Sequence, residues 1–391
     1  MKLPSLVACT LMILFLARLA PAAEEIDISH ELTVDGWPKP VPVSITGFSP
    51  AVDETLKFDL TFMGFTFVSA DKARFQITGA DNGRVEGRVL DAVTKKIVVA
   101  KAFTGGTARS QTHALADEIA LTVTGKPGIA QTKIACKVQP TGIGAGEIYI
   151  ADFDGHNAQA VTADNVICAA PSWSGRSMLF YTSYKFDKPD VFSHNLATGA
   201  RKAIARFPGS NISPAASPDG KRVAMILSKS GRPSLYVADI DGGNLKQLTK
   251  EDESSPCWSP DSKTICFVSR VSGKAALYTI PADGGDMKRL QTAGISNPTE
   301  PDWSPDGKFI TFTAMMGGFS ICYVPVDGPN RGQAVVLAAG EDSVWAPNSR
   351  AVIFSRNKNN LHVLSLLDVP TKQVKDCARI PGSASQPGWA R

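Results

Sequence analysis

The sequence contains few of the residues that catalysis and metal binding require, and none of them is spaced for such chemistry. Only 5 of its 391 residues are histidines, and neither His-x-x-x-His nor His-Glu-x-x-His occurs. A Gly-x-Ser-x-Gly nucleophile motif is absent, and so is Cys-x-x-Cys, the spacing used by redox centres and zinc sites. We therefore expect no catalytic residues, no cofactor and no bound metal, and we interpret the histidines as surface or strand residues.

Long apolar runs are also missing beyond the N-terminus. The run nearest the N-terminus extends from Leu11 to Leu16, follows a lysine and precedes small residues at Ala20 to Ala23. This layout is typical of a secretory signal peptide, which we place at residues 1–23. Leu6 to Cys9 resembles a lipoprotein processing site, but its cysteine precedes the apolar run. We therefore favour a plain cleaved signal and an exported protein.

Neither the charge nor the cysteine content is extreme. A net charge of +4 argues against a nucleic-acid groove or a polybasic membrane surface. Six of the 7 cysteines would remain after signal cleavage, an even number that permits disulfides in an exported protein. We interpret Cys136, Cys266 and Cys322 as buried strand residues, and we regard Cys257 with Cys266 as the first pair to test for a disulfide.

What the sequence does contain is a repeat. The stretch from Pro301 to Phe312 includes Trp-Ser-Pro-Asp-Gly followed by a β-rich run, and related copies recur every 42 to 45 residues. A period in the low forties that carries tryptophan and a Pro-Asp-Gly turn indicates a β-propeller. The equivalent positions are Trp173, Ala216, Trp258, Trp303, Trp345 and Trp389. We expect these tryptophans to fill the core between neighbouring blades.

Each repeat has the layout of a four-stranded blade. Asp-Gly pairs between apolar runs predict hairpins. The Asp of each Pro-Asp-Gly or Pro-Asp-Ser turn should bond its own backbone; these are Asp219, Asp261 and Asp306. Six third-strand segments can be counted. The segment 386–391 is a first strand with nothing after it, so it should complete the blade that begins at Thr132. We predict a six-bladed propeller over residues 132–391, closed by its C-terminal strand.

Residues 24–128 lack the repeat and predict a small α/β (α+β) domain. Ile26 to Val34 favours an extended strand, and Phe58 to Val68 is dense in aromatic and β-branched residues. Three further strands and one helix follow. The helix should open at Thr107 or Ser110, with Leu115, Ile119 and Val123 on one face, and end at Gly125; these strands are Ala73 to Thr78, Arg84 to Leu90 and Lys96 to Phe103.

The junction between the two domains resembles that of the TolB family, the exported propeller components of the Tol-Pal system. The resemblance rests on 113–118, 121–125 and 132–135, and on the segments 205–208 and 296–303 that precede Ser-Pro-Asp-Gly turns. It covers the propeller throughout. Before His113 the match is poor, and we expect this domain to lack the family's helix and strand pair ahead of its hairpin.

The resemblance implies a non-catalytic, periplasmic protein that supports outer-membrane integrity. Its partner would be a Pal-like peptidoglycan-associated lipoprotein, bound where the blade-to-blade loops surround the channel. It also implies a TolA-like partner at the N-terminal domain, although no residue there can be assigned to it. The family often has histidine where Ser210 stands. The implied contact residues for the lipoprotein are Arg206, Phe207, Ser210, Asn211, Asn297, Thr299 and Glu300.

Two other functions stay open on the sequence alone. The loops that surround the channel are polar and vary in length, so the same face would suit another envelope protein or a polysaccharide. A hydrolase or lyase accessory that uses channel carboxylates or a divalent cation is the alternative from a different class. In each case we expect a monomer that binds no nucleic acid and has no integral membrane segment.

Overall fold

A computed structural model describes residues 36–140, 144–377 and 379–391. The predicted signal peptide, the predicted strand from Ile26 to Val34 and His30 lie outside these residues. Within them, no helix is both long and apolar enough to cross a membrane.

The N-terminal part is a mixed five-stranded sheet with two helices. The sheet order is β2-β1-β3-β4-β5; β1 runs parallel to β2 and β3, and the remaining pairs are antiparallel. The strands are β1 (Val41–Thr46), β2 (Phe65–Phe67), β3 (Phe75–Ala80), β4 (Val85–Asp91) and β5 (Ile97–Phe103). The helices are α1 (Pro50–Thr61) and α2 (Ala108–Thr124). The fold class is confirmed, whereas the domain limits 24–128 and 132–391 stay predictions.

Helix α1 is a correction, because the sequence predicted no helix here and no helix and strand pair ahead of the hairpin. Ser49 caps the helix in an extended conformation and Pro50 occupies its first turn, where its fixed φ suits a helix start. Val52, Leu56 and Leu60 recur every four residues and are buried together. Strands β1 and β2 with α1 between them therefore form the unit that was expected to be missing.

Helix α2 agrees with its prediction. Thr107 caps it in a reciprocal capping box with Ser110, and Gly125 ends it in the left-handed conformation with φ of 70°. Leu115, Ile119 and Val123 are fully buried against the sheet, as their spacing predicted.

The rest of the chain forms six four-stranded antiparallel sheets, named here blades I to VI. Blade I comprises β29 (Ser383–Trp389), β6 (Lys133–Gln139), β7 (Glu147–Asp152) and β8 (Gln159–Ala160). Blade II comprises β9 (Cys168–Ser174), β10 (Met178–Ser183), β11 (Asp190–Asn195) and β12 (Arg201–Ala205). Blade III comprises β13 (Asn211–Ala216), β14 (Arg222–Leu227), β15 (Ser234–Asp239) and β16 (Lys246–Gln247).

The three remaining blades repeat this order. Blade IV comprises β17 (Glu253–Trp258), β18 (Thr264–Ser269), β19 (Ala276–Pro281) and β20 (Lys288–Arg289). Blade V comprises β21 (Pro298–Trp303), β22 (Phe309–Met315), β23 (Phe319–Pro325) and β24 (Val335–Ala339). Blade VI comprises β25 (Glu341–Trp345), β26 (Ala351–Lys358), β27 (Leu361–Asp368) and β28 (Gln373–Asp376).

The C-terminal strand closes the ring as predicted. β29 pairs antiparallel with β6, and Trp389 lies opposite Ile134. The Trp389 indole donates a hydrogen bond to Thr132 Oγ1 at 2.8 Å. The preceding glycine is required by a close approach, since a Cβ at Gly388 would lie 2.6 Å from the carbonyl oxygen of Pro171. The six-bladed architecture is therefore confirmed.

The structure confirms the roles predicted for the turn aspartates and for Trp258 in the core. Asp219 Oδ1 accepts hydrogen bonds from Ser217 Oγ at 2.6 Å and Lys221 N at 3.1 Å, and the same pair of bonds recurs at Asp261 and Asp306. The Trp258 indole spans two blades by donating to the carbonyl of Ala215 at 2.7 Å. These carboxylates therefore stabilise turns, and the tryptophan packs between blades.

All six described cysteines are buried free thiols. Cys136, Cys266 and Cys322 are fully buried in β6, β18 and β23, as interpreted from the sequence. Cys257 lies directly opposite Cys266 in the β17–β18 ladder.

The α/β unit packs on one end of the propeller, which we call the junction face. This end carries the turns between the first and second and between the third and fourth strands. Asn348 donates from Nδ2 to the carbonyl of Phe62 at 2.9 Å, and Arg350 donates to the carbonyl of Pro38 at 3.3 Å. Trp37 stacks on Phe309 with ring centroids 4.8 Å apart. The opposite end, called the open face, carries the blade-to-blade loops and the second-to-third strand hairpins.

Candidate protein-binding face of the propeller

The first strands of all six blades line a central channel. The cavity has a volume of about 470 Å³, within the range of ligand and partner sites. Its wall includes Glu300, Asp302, Asp342, Ser343 and Arg391. The channel wall therefore combines these polar side chains with apolar prolines and tryptophans of the same strands.

One residue in each first strand takes the left-handed conformation. It lies at the point where the register with the second strand shifts, so each inner strand carries a bulge that bends it. Non-glycine residues with positive φ are uncommon, and they concentrate at sites where structure serves function. The six residues, all with φ between 50° and 56°, are Ala170, Ser213, Ser255, Glu300, Asp342 and Gln386.

Hydrogen bonds connect these bulges from blade to blade. Ala170 N donates to Gln386 Oε1 at 3.0 Å, and Gln386 N donates to Asp342 Oδ2 at 3.0 Å. Asp342 N in turn donates to Glu300 Oε2 at 3.2 Å. Four blades thus share one polar chain of contacts around the channel, and Glu300, a residue implied by the family resemblance, belongs to it.

The wall between blades V and VI is acidic. Burial, and then the neighbouring Glu300, raise the pKa of Asp342 well above its usual range. Burial also raises the pKa of Glu341, which His362 approaches at 3.2 Å. Asp302 is held by Arg391, which also donates to the carbonyls of Trp303 and Trp345. These channel carboxylates are therefore engaged by protein donors.

The loop from blade II to blade III contains four of the implied contact residues. Asn211 is fully buried, and its amide holds the loop by donating to the carbonyl of Phe207 at 2.9 Å and accepting from Phe207 N at 3.1 Å. Ser210 N donates to Ser228 Oγ at 2.7 Å. The structure thus places Asn211 beneath the surface, where it positions the loop.

Arg206 and Phe207 lie at the surface of the same loop. Arg206 is half exposed, stacks over Phe186 at 4.1 Å from the ring centroid, and pairs with buried Asp190 at 3.1 Å. Lys229 Nζ lies 4.2 Å from the centroid of Phe207. Flat rings covered by cations give this part of the open face both apolar area and positive charge.

The other implied residues lie on the entry to blade V. Asn297 is exposed with φ of 51°, and Thr299 and Glu300 are partly buried in β21. Thr299 is paired with Thr313 of β22. The two loops belong to different blade boundaries of the same face, so the structure brings the seven residues to one end of the propeller but not into a single contact cluster.

Exposed apolar side chains concentrate on the open face. Of the thirteen large apolar side chains that are exposed among the described residues, eight lie on its hairpins and loops. Exposed apolar area rimmed by polar residues is a mark of protein interaction sites, and methionine and aromatic residues are enriched there. The eight are Ile167, Tyr184, Phe186, Val271, Met315, Met316, Phe319 and Leu361.

Sequence reasoning missed most of these residues and the ring of bulges. A signal was present for the bulges, because five of the six left-handed residues are followed directly by proline at the repeat spacing. It also treated all histidines as scattered surface or strand residues. That interpretation was wrong for His113, which is buried in helix α2 where the two domains meet.

The fold defines a small α/β domain joined to a six-bladed propeller, and the described part of the α/β domain packs on the end opposite the open face. Residues 121–391 match the family model described as the TolB beta propeller domain. The chain belongs to this family.

Individual relatives match over shorter stretches. The Tol-Pal system protein TolB of Anaeromyxobacter dehalogenans (strain 2CP-C) is 33% identical over 204 residues, which cover 48% of this chain and 46% of that protein. The protein of the same name from Desulfosudis oleivorans is 31% identical over 186 residues, covering 46% of this chain and 42% of that one. The chain therefore aligns with less than half the length of these curated relatives.

A solved structure extends the likeness to nearly the whole chain. TolB from Acinetobacter baumannii superposes with a TM-score of 0.80 over 90% of this chain and 97% of that one, at 23% sequence identity. The fold of both domains, including the α/β unit that resembled the family poorly in sequence, is thus shared with that protein.

Proposed function

We propose that the protein is a non-catalytic, periplasmic component of a Tol-Pal type system that binds a Pal-like peptidoglycan-associated lipoprotein on its open face. The single observation that carries this proposal is the concentration of exposed apolar side chains on the face where the blade-to-blade loops meet. The curated relatives are named as Tol-Pal system proteins, which supports the choice of system, and the Pal-like partner is the one that the family resemblance implies. Support of outer-membrane integrity follows as the cellular role.

Within this proposal, the implied contact residues divide by burial. Arg206 and Asn297 are exposed and Phe207 is partly exposed, so these three would touch the partner, while buried Asn211 would hold the first loop in shape. Glu300 would act from the channel wall, where it also accepts a bond from Asp342 N. We also propose that a TolA-like partner binds the N-terminal domain, on the side of the molecule opposite the open face.

Direct binding tests the proposal. The full chain without its signal peptide is titrated with the soluble domain of the Pal-like lipoprotein encoded in the same genome, by isothermal titration calorimetry. We expect saturable 1:1 binding. Since a few residues usually dominate an interface, Phe207→Ala and Arg206→Ala should each weaken binding by about tenfold, which corresponds to about 1.4 kcal/mol.

Matched variants separate a local contact from a general loss of folding. Arg176 is an exposed arginine of the same blade on the junction side, so Arg176→Ala should leave affinity unchanged. Asn297→Gly keeps the left-handed backbone that alanine would strain, and it removes only the side chain. Absence of binding by the wild-type chain would refute the proposal, and binding of an envelope polysaccharide instead would favour the alternative ligand.

A further inference from the structure

The contact between the α/β unit and the propeller contains four ionisable side chains packed together. Asp59 comes from α1, Arg109 and His113 come from α2, and Asp154 comes from the turn after β7 in blade I. Asp59, His113 and Asp154 are 0%, 4% and 4% exposed. Charged groups this deeply buried persist only when they are paired, so their pairing contributes to how firmly the two domains dock.

The imidazole of His113 lies between two carboxylates from different domains. Its Nδ1 is 2.7 Å from Asp59 Oδ2 within the α/β unit, and its Nε2 is 3.5 Å from Asp154 Oδ2 of the propeller. A neutral imidazole has a single N–H, whereas the imidazolium has two. Neutral His113 that bonds Asp59 therefore turns the lone pair of Nε2 toward a carboxylate, and protonation replaces that repulsion with an ion pair across the domain boundary.

When both carboxylates are ionised, the charges of these four side chains balance if His113 is protonated. Arg109 pairs with Asp154 and donates from a second nitrogen to Thr55 Oγ1 at 3.1 Å. Two carboxylates then face one guanidinium and one imidazolium. Loss of the imidazole proton leaves these four side chains with one net negative charge in a site removed from water, which is costly even with Lys375 of β28 nearby.

Other groups approach the cluster from each packed element. Two further titratable side chains are Asp117 of α2, which interacts with the charge of His113, and His156 of the propeller turn. His156 Nδ1 lies 3.2 Å from Asp154 Oδ1. Lys375 of β28 faces Asp59 from blade VI. Phe153 packs edge-on against the His113 ring with centroids 5.8 Å apart and excludes water from that side.

We propose that His113 is a protonation-controlled link between the two domains: its imidazolium fastens helix α2 to blade I through Asp59 and Asp154, and loss of the proton loosens this docking. The propeller ring itself is unaffected, since its closure lies in the β29–β6 pairing. Alkaline pH would therefore free the α/β unit while leaving the six blades folded.

The pKa values of His113 and Asp59 are both shifted in the direction that this link requires. Although burial lowers the pKa of His113, its hydrogen bond and charge attraction to Asp59 and Asp154 raise it overall. Burial raises the pKa of Asp59 to about 6. The contact with Asp154 exists only when the domains are docked, so the part of the His113 shift that Asp154 supplies strengthens docking below the ordinary histidine pKa and is lost as pH rises through the raised value. Any contribution from burial of Asp59 is lost at lower pH, between its ordinary carboxyl value and about 6. Each unit of difference corresponds to about a tenfold change in the docking equilibrium.

Proton NMR titration of the full mature chain tests the first step. His113 should titrate above the ordinary value of about 6.5, and Asp59→Asn should lower its pKa by removing the adjacent carboxylate. His362→Gln, on the far side of the propeller, serves to assign a second histidine and should leave the His113 titration unchanged. A His113 pKa at or below the ordinary value would overturn the proposal.

Amide hydrogen exchange tests the consequence for docking. In the wild-type chain, exchange corrected for intrinsic rates should rise by about tenfold or more in α2 and the 154–157 turn between about pH 6 and about pH 9, but not in the blade strands. His113→Gln keeps a hydrogen-bonding side chain that does not titrate, so the rise in exchange with pH should be much smaller than in the wild-type chain, with Asp59 as the titrating group that remains. An equal pH response in His113→Gln, or a response spread over all blades, would contradict the proposal.

Discussion

Ring closure through Trp389 gives the most direct test of how this fold is held together. Its side chain is 4% exposed, and its indole bonds Thr132 at the start of blade I. Truncating a buried tryptophan to alanine costs about 3–5 kcal/mol, and the lost hydrogen bond is included in that range. Set against a total stability of about 5–15 kcal/mol, Trp389→Ala should leave a chain that is marginally folded.

Two further variants make the prediction specific to closure. Trp389→Phe keeps most of the apolar volume and loses the indole donor, so it should cost about 1–2 kcal/mol. Trp173 occupies the equivalent position in blade II but is only half-buried, so Trp173→Ala should cost less than Trp389→Ala. The measurement is urea denaturation followed by far-ultraviolet circular dichroism. Equal costs for the two alanine variants, or a cost below about 1 kcal/mol for Trp389→Ala, would refute the reasoning.

Three other predictions concern buried polar groups. Arg350 donates hydrogen bonds to Asp368 at 2.6 and 3.1 Å, so Arg350→Met should lower the free energy of unfolding, measured by urea denaturation, by about 3–5 kcal/mol. An unchanged denaturation midpoint would show that this ion pair adds nothing to stability. Asn211→Ala should cost about 1–3 kcal/mol and speed amide exchange in its loop; unchanged exchange would contradict its positioning role. Burial raises the pKa of Asp302 against the effect of Arg391, and Arg391→Met should raise it further. The stability deficit of this last variant should therefore grow as pH rises through that pKa, and a pH-independent deficit would count against it.

The propeller could be predicted from sequence because each repeat contains its own turn signals. Trp303 with the following Pro-Asp-Gly sets both the period and the first turn, and the unpaired copy at 386–391 revealed how the ring closes. Local signals of this kind depend on a few neighbouring residues and survive without any knowledge of tertiary structure.

Helix α1 was missed because part of its local sequence favours a strand. Its C-terminal half contains Phe58 and Thr61, residues that favour strands, and Phe62 to Phe67 extends the pattern. Tertiary packing against the sheet outweighs that preference. The Ser49-Pro50 start signal was present and would have indicated the helix.

The ionic junction and the acidic wall could not be found from sequence spacing. His113 meets Asp59, which lies 54 residues earlier, and Asp154 in the other domain. No local period relates these positions, since only the docking of two separately folded units brings them together. The same holds for the contact between Asp342 and Glu300, which depends on how neighbouring blades rotate about the axis.

The pairing of β29 with β6 has a consequence for biogenesis. β6 and β29 are separated in sequence by all five other blades, so blade I stays incomplete and β6 keeps one unpaired edge until β29 docks. Such an edge is a template for intermolecular strand addition. Products that lack β29 should therefore be removed by quality-control proteases or aggregate, even though the other blades are intact.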